Sequence, residues 1–255
     1  MRRIALTMSA LLVTGYVGCS LAEQPRQESF SSPEEASAAL FTAVRNQDEA
    51  ALARILGAGS ELLGSGDAAL DKADRARFVQ KYQEMHRLAR ETHGERLLYV
   101  GAENWPFPVP LTEAKGAWRF DADAGREEIG FRQVGADELT AIALCHTLQA
   151  AAGSAKTGAS DGLTAEVLAA AKIAEPVAFH GYYFRFLRAS PSGSGFVAYP
   201  AAYGTSGVMT FVIRGNDPVR QKDLGSGTLR IASALSAAEV DASWKAAEPG
   251  AQGSD

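Results

Sequence analysis

Hydrophobic positions recur with two different periods along this chain, and the changes from one to the other mark out its elements. Ala36, Leu40, Ala43 and Val44 share one helical face behind Ser32-Pro33-Glu34-Glu35, a capping box with proline at the first helical position. Asp48 caps a second short helix that turns Leu52, Ile55 and Leu56 inward and ends at Gly57. A third helix opening at Asp71 or Lys72 carries Phe78, Val79, Tyr82, Met85 and Ala89 as a stripe up to Gly94. From Glu95 the period drops to two: Leu97, Tyr99 and Gly101 alternate with Leu98 and Val100, and Trp118 and Phe120 follow the turn at Lys115-Gly116. Glu127 to Val134 is expected as a further strand. Helices followed by sheet give an α+β unit over residues 32–134.

The second half repeats that order. Leu139 to Ala152 is helical and apolar almost all round, which predicts burial between layers. Gly153 to Gly162 is expected as a linker and Leu163 to Ala171 as an Ala-rich helix. Strands are predicted at Tyr182 to Leu187, Phe196 to Tyr199, Val208 to Ile213 and Val219 to Lys222, with turn chemistry at Ser190 to Gly195 and at Gly215-Asn216-Asp217-Pro218. A last helical turn at Thr228 to Leu235 precedes Trp244. The fold class is therefore α+β, with subdomains at 32–134 and 137–246, each packing helices on an antiparallel sheet, and a disordered tail at 247–255.

What precedes Ser32 carries an address. Arg2 and Arg3, the apolar run Ile4 to Val17 and small residues up to Ala22 have the three parts of a secretory signal, and the run is short for a membrane span. Ser20-Leu21-Ala22 suits ordinary signal cleavage, whereas Val17-Gly18-Cys19 looks like a lipoprotein lipobox with Tyr16 where leucine is usual. The expectation is acylation of Cys19, with residues 23–31 as a flexible tether and the body periplasmic or held to the membrane by that lipid alone. Losing Arg2 and Arg3 takes the formal charge from −5 to −7. Such a chain would be repelled by nucleic acid. Cys145 is then the one cysteine left, so no internal disulfide forms and packing must supply the stability.

Candidate chemistry is sparse. In Trp105-Pro106-Phe107-Pro108-Val109-Pro110-Leu111 alternate prolines remove alternate backbone donors, so the strip must be a stiff edge with Trp105, Phe107, Val109 and Leu111 on one side. It could dock a partner, but the expectation is that it folds onto the chain's own core, Trp105 included. Tyr182, Tyr183, Phe184, Tyr199 and Tyr203 could offer sugars a stacking surface, although strand aromatics ordinarily pack in cross-strand pairs. Trp105, Phe107, Tyr199 and Tyr203 are thus the candidates for an interaction surface. His86, His93, His146 and His180 show no helical metal spacing, so no metal and no cofactor is expected. Cys145 beside His146 is read as a buried thiol, because adjacent helical residues point about 100° apart. Asp121-Ala122-Asp123 is expected in a hairpin turn. The Gly-Ser-Gly sequences lack the context of a nucleophile elbow.

Trp105 to Leu111, Trp118-Arg119-Phe120-Asp121, Asp137-Glu138-Leu139, Gly181-Tyr182-Tyr183-Phe184-Arg185, Ala198-Tyr199-Pro200, Tyr203-Gly204, Ser206 to Phe211 and Lys222-Asp223-Leu224-Gly225 together resemble the DUF2950 family of uncharacterised bacterial exported proteins. The resemblance covers nearly the whole chain beyond the signal. It implies export and a two-part body, and it implies no activity. In that pattern a longer segment separates the Tyr-Tyr-Phe and Ala-Tyr-Pro strands, whereas here only Ala189 to Gly195 intervenes. The first three helices and their sheet also look like the start of an NTF2-like cone. Together these readings lead to the expectation of a non-catalytic binding or structural module of the cell envelope, its partner another envelope protein or a surface polymer. The competing reading is an enzyme or small-ligand binder with a pocket in the first subdomain.

Overall fold

The computed structural model describes residues 27–57, 64, 66–153, 166–167, 177–187 and 195–247. The signal, Cys19, most of the 154–176 segment, the connection at 188–194 and the tail beyond Ala247 lie outside the described residues. Helix α1 (Pro33–Asn46) begins as its capping box predicts, with Ser32 Oγ accepting from the Glu35 amide at 3.1 Å. The Glu35 carboxylate reaches back one residue further than expected, to the backbone N–H of Ser31. That carboxylate, which also accepts from Ser31 Oγ, holds the entry segment as well as the helix. Asp48 caps α2 (Glu49–Leu56), and Asp67 caps α3 (Ala68–Glu84) a turn earlier than the sequence suggests.

The third helix is also shorter at its far end. Met85 turns extended, and β1 (His86–Arg90) pairs antiparallel with β2 (Arg96–Val100) in full register, His86 opposite Val100 and Arg90 opposite Arg96. Met85 and Ala89 do not extend the helical stripe. The spacing of Tyr82, Met85 and Ala89 is helical, but pairing with β2, Leu88 against Leu98, extends the sheet over the first core and overrides that local preference. β3 (Trp105–Pro106) lies on β2, while β4 (Leu111–Ala114) and β5 (Ala117–Phe120) complete the sheet in the order β1-β2-β4-β5, with β3 beside β2. Its core holds Leu40, Leu52, Leu56, Leu98, Val109, Leu111 and Phe120.

Residues 27–31, expected in the tether, belong to this body. The Gln27 amide donates to the carbonyls of Ile55 and Phe120, and Phe30 is buried and bridges Trp118. An aromatic at position 30 has enough apolar area to repay ordering the backbone beside it.

A single helix of 32 residues, α4 (Ala122–Gly153), replaces the predicted strand at 127–134 and the boundary at 134–137. At 1.5 Å per residue it runs about 48 Å. Asp121 is its N-terminal cap and not part of a hairpin turn, with Oδ1 accepting from the Ala124 amide at 3.1 Å. Ile129, Phe131 and Gln133 alternate like a strand, and three glycines five residues apart discourage a helical reading. In the fold Gly125 has a packing reason, since a Cβ there would stand 2.8 Å from Val109 Cγ2. The two halves of α4 bury opposite faces. Gly125 and Arg132, about 20° apart around the axis at 100° per residue, meet the first body at Val109 and Trp105. Asp137, Ala141, Leu144, Cys145 and Leu148 lie on the far side and are buried, the last four in the second core.

The second sheet is an antiparallel meander of β6 (Ala178–Phe179), β7 (Tyr182–Phe186), β8 (Gly195–Pro200), β9 (Met209–Arg214), β10 (Arg220–Asp223) and β11 (Lys245–Ala246) in sequence order. Every residue of β8 is buried, which requires both faces to be covered. α4 covers one. The other lies under a strap at 224–247 that includes α5 (Thr228–Ala234), Leu235, Val240 and Trp244. Ala247, assigned to the disordered tail by the sequence, is buried and donates its N–H to Val219. Among the described residues no helix is long and apolar enough to cross a membrane.

Candidate functional site

Four candidate residues separate into two pairs. Phe107 and Tyr199 are buried, the first beside Phe78 and Phe120 and the second beside Tyr183, so neither can be part of an interaction surface. Inward-facing strand aromatics ordinarily pack in the core, and burial removes both as contacts. Trp105 and Tyr203 are exposed, at 42% and 38%. The expectation that Trp105 belongs to the core is corrected: the strip turns inward only from Phe107, and the indole ring lies under the Arg132 guanidinium at 5.3 Å. Trp105 pairs with Val100 at the end of the short β3, where the Arg132 side chain covers it only in part.

Tyr203 stands on a short loop of the second half. Between β8 and β9 the Thr205 and Ser206 amides donate to the Ala202 carbonyl, and Gly204 N–H donates to Gly207. Ser206 Oγ donates to the Gly181 carbonyl at 2.8 Å and accepts from the Ala202 amide at 3.0 Å, fastening the loop to the turn before β7. Glu138, reaching across from α4, accepts from the amides of Val208 and Met209 at 2.8 and 2.9 Å. Two backbone donors at the start of β9 are thereby satisfied by one carboxylate. The Tyr182 hydroxyl donates to the Met209 carbonyl at 2.9 Å. Burial, reinforced by the Glu138 and Asp137 charges, pushes this phenol well above its ordinary range, so it stays a donor. A Cβ on Gly207 would fall 2.1 Å from the Tyr182 oxygen, so only glycine lets the loop close over that ring.

The sequence blocks that looked unrelated therefore converge here: Asp137-Glu138 from α4, Gly181-Tyr182 from β7, Tyr203 to Met209 from the loop, and Asp223 from β10. On the outer side of this junction the Tyr203 hydroxyl donates to Asp223 Oδ2 at 3.2 Å, which raises its own pKa through that bond. Gly204 beside it has open space where a side chain would be. The result is a half-exposed aromatic face, a carboxylate at its edge, and backbone held by bonds that do not involve the tyrosine. Such a ledge can stack a planar or sugar face and accept hydrogen bonds from hydroxyls. Glu138 and Ser206 carry no signal in the sequence beyond their place in the family blocks, since their partners are 70 and 25 residues away.

Elsewhere the chemistry is quiet. Cys145 is fully buried and its thiol is pushed up to about 12 by desolvation, as expected for a packed thiol. His146 next to it is exposed. Among the described residues no three histidine, cysteine or acidic side chains gather as metal ligands.

A family model described as a protein of unknown function, DUF2950, matches residues 27–171 and 154–247. No curated protein and no solved structure matches the chain.

Proposed function

The chain belongs to the DUF2950 family of proteins of unknown function, and from that premise we propose that it is an exported cell-envelope protein that binds a surface polymer without transforming it. The supporting observation is the Tyr203 and Asp223 ledge. A loop that five other hydrogen bonds already hold does not need an exposed aromatic to close it, whereas a fixed ring with a carboxylate beside it suits the apolar face and hydroxyl rim of a sugar. Rigidity matters because a preordered loop loses little entropy on binding. Export rests on the N-terminal signal and on Cys19 as the residue to be acylated, which would keep the body next to the envelope glycans.

The test is co-sedimentation of the purified chain with isolated peptidoglycan sacculi. Saturable binding is expected, weakened about tenfold or more by Tyr203→Ala, as befits a central aromatic contact, with an unchanged melting temperature. Binding that survives in Tyr203→Ala, or no binding by the parent chain, defeats the reading. A full-length chain bearing Cys19→Ser separates location from recognition, because it should lose lipid labelling and keep sacculus binding.

A further inference from the structure

The face of the second sheet beneath the strap is rich in cations. Register places Arg220 opposite Val212 and Lys222 opposite Thr210, and Arg185 opposite Val197, which itself faces Val212. Arg185, Arg214, Arg220 and Lys222 thus rise from one side of the sheet. Their donors pin the strap mainly through neutral oxygens. Arg185 Nη2 donates to the carbonyls of Ala232 and Leu235, Arg214 Nη1 to that of Val240 at 3.4 Å, Arg220 Nη1 to that of Trp244 at 3.3 Å, and Lys222 Nζ to Ser243 Oγ at 2.7 Å. Carboxylates stand near three of the four: Asp217 lies 3.5 Å from Arg214, Asp241 feels the Lys222 charge, and Glu239 feels that of Arg185, while Arg220 has its carbonyl pin.

Within this face two polar atoms are shut away from solvent with no hydrogen-bond partner among the described residues, Thr210 Oγ1 and Arg220 Nε. Thr210 is fully buried. The two residues are diagonal neighbours on β9 and β10, a separation of about 7 Å between Cβ atoms that an arginine side chain spans easily. A buried donor left unmatched keeps its full desolvation penalty, which a bound acceptor would offset. Nε can only donate, the threonine hydroxyl can donate, and Lys222 adds a second positive charge at the rim. A matching guest must accept hydrogen bonds from at least two sides and gain from positive charge.

We propose that the strap-covered face between β9 and β10 binds a carboxylate or phosphate group, held by Thr210 Oγ1 and Arg220 Nε with the Lys222 ammonium beside it. The site is independent of the Tyr203 ledge, being on the opposite face of the sheet. A ligand reaches it when the 224–247 strap lifts at its carbonyl pins.

The full chain is titrated with inorganic phosphate and, separately, acetate, at constant ionic strength set with sodium chloride, and followed by thermal melting and by phosphorus line broadening. The expected result is a saturable rise in melting temperature with one of the two anions, phosphate or acetate naming the group that the site takes. Thr210→Val, isosteric and without the hydroxyl, should fold as well as the parent in chloride and lose the saturable part, binding at least tenfold more weakly. Arg220→Lys keeps the charge, lacks Nε, and should behave alike. The general stabilisation by phosphate as an excluded salt is shared by all variants and does not saturate. A rise that is identical in Thr210→Val, or absent with both anions, overturns the proposal. Loss of sacculus binding by Tyr203→Ala has no bearing on it.

Discussion

The Cys145 thiol is fully buried, and burial pushes its pKa up to about 12. Because its folded pKa lies above the unfolded value of 9.0, its contribution to stability is fully present below pH 9 and is lost as pH rises toward 12. By pH 10 the unfolded chain has gained about 1.4 kcal/mol from ionising this one group. Tyr182, raised by burial and then by the Glu138 charge, adds a loss in the same direction from about pH 10 upward. Urea midpoints measured at pH 7, 9 and 10 should therefore fall, and Cys145→Ala should flatten the fall between pH 9 and 10 while lowering the midpoint at pH 7 through the small cavity it leaves. An equal slope in the variant would show that other groups carry the alkaline sensitivity. The same residue shows what can be read locally: its neighbours Leu144 and Leu148 already say that it is apolar and packed. That Tyr199 is buried while Tyr203 is not follows from which strand is central, a fact absent from four residues of sequence.

Among elements, α4 separates what propensity favours from what packing demands. Gly125 abuts Val109, whereas Gly130 and Gly135 have nothing within 4 Å of a would-be Cβ and helical backbone on either side. Gly130→Ala and Gly135→Ala should each stabilise the chain by about 0.5–1 kcal/mol, since alanine removes unfolded-state freedom at no steric cost. Gly125→Ala should destabilise it, by about 1–3 kcal/mol if Val109 cannot give way. Chemical denaturation of the three variants checks both signs, and a stabilising Gly125→Ala would mean that the contact with the first body is loose. These glycines are also why the helix was not legible. Their spacing, with Ile129 and Phe131 between them, imitates a strand, and no single apolar stripe runs the length of a helix whose halves face opposite ways. Phe131 at 72% and Leu139 at 51% exposure lie in the quadrant that neither body covers.

For the molecule as a whole, α4 is the shared beam: its first turns pack on the first sheet and its later turns on the second, with Glu138 holding β9. Proline at the exposed position 136 should cost about 3 kcal/mol or more by breaking the helix between the two contacts. It should also split one unfolding transition into two, since each core would then melt without its neighbour; calorimetry showing a single, merely lowered transition would indicate that the bodies are coupled by other routes. The α+β class, helices α1 and α2 with their caps, the hairpin periods of the second half and the membership implied by its motif blocks were all determined by the sequence itself, because caps, turns and short-period patterns are set by residues within a few positions of one another. Tertiary structure decided the rest. Phe30 is core and not tether because Trp118 offers it a strand edge; His86 to Arg90 is strand because Arg96 to Val100 pairs with it; 122–153 is one helix because two separate cores need it; and the second sheet is covered twice because residues 224–247 return as a strap. In each case the deciding partner is distant in sequence, and the free energy of pairing with it outweighs the local preference that the sequence displays.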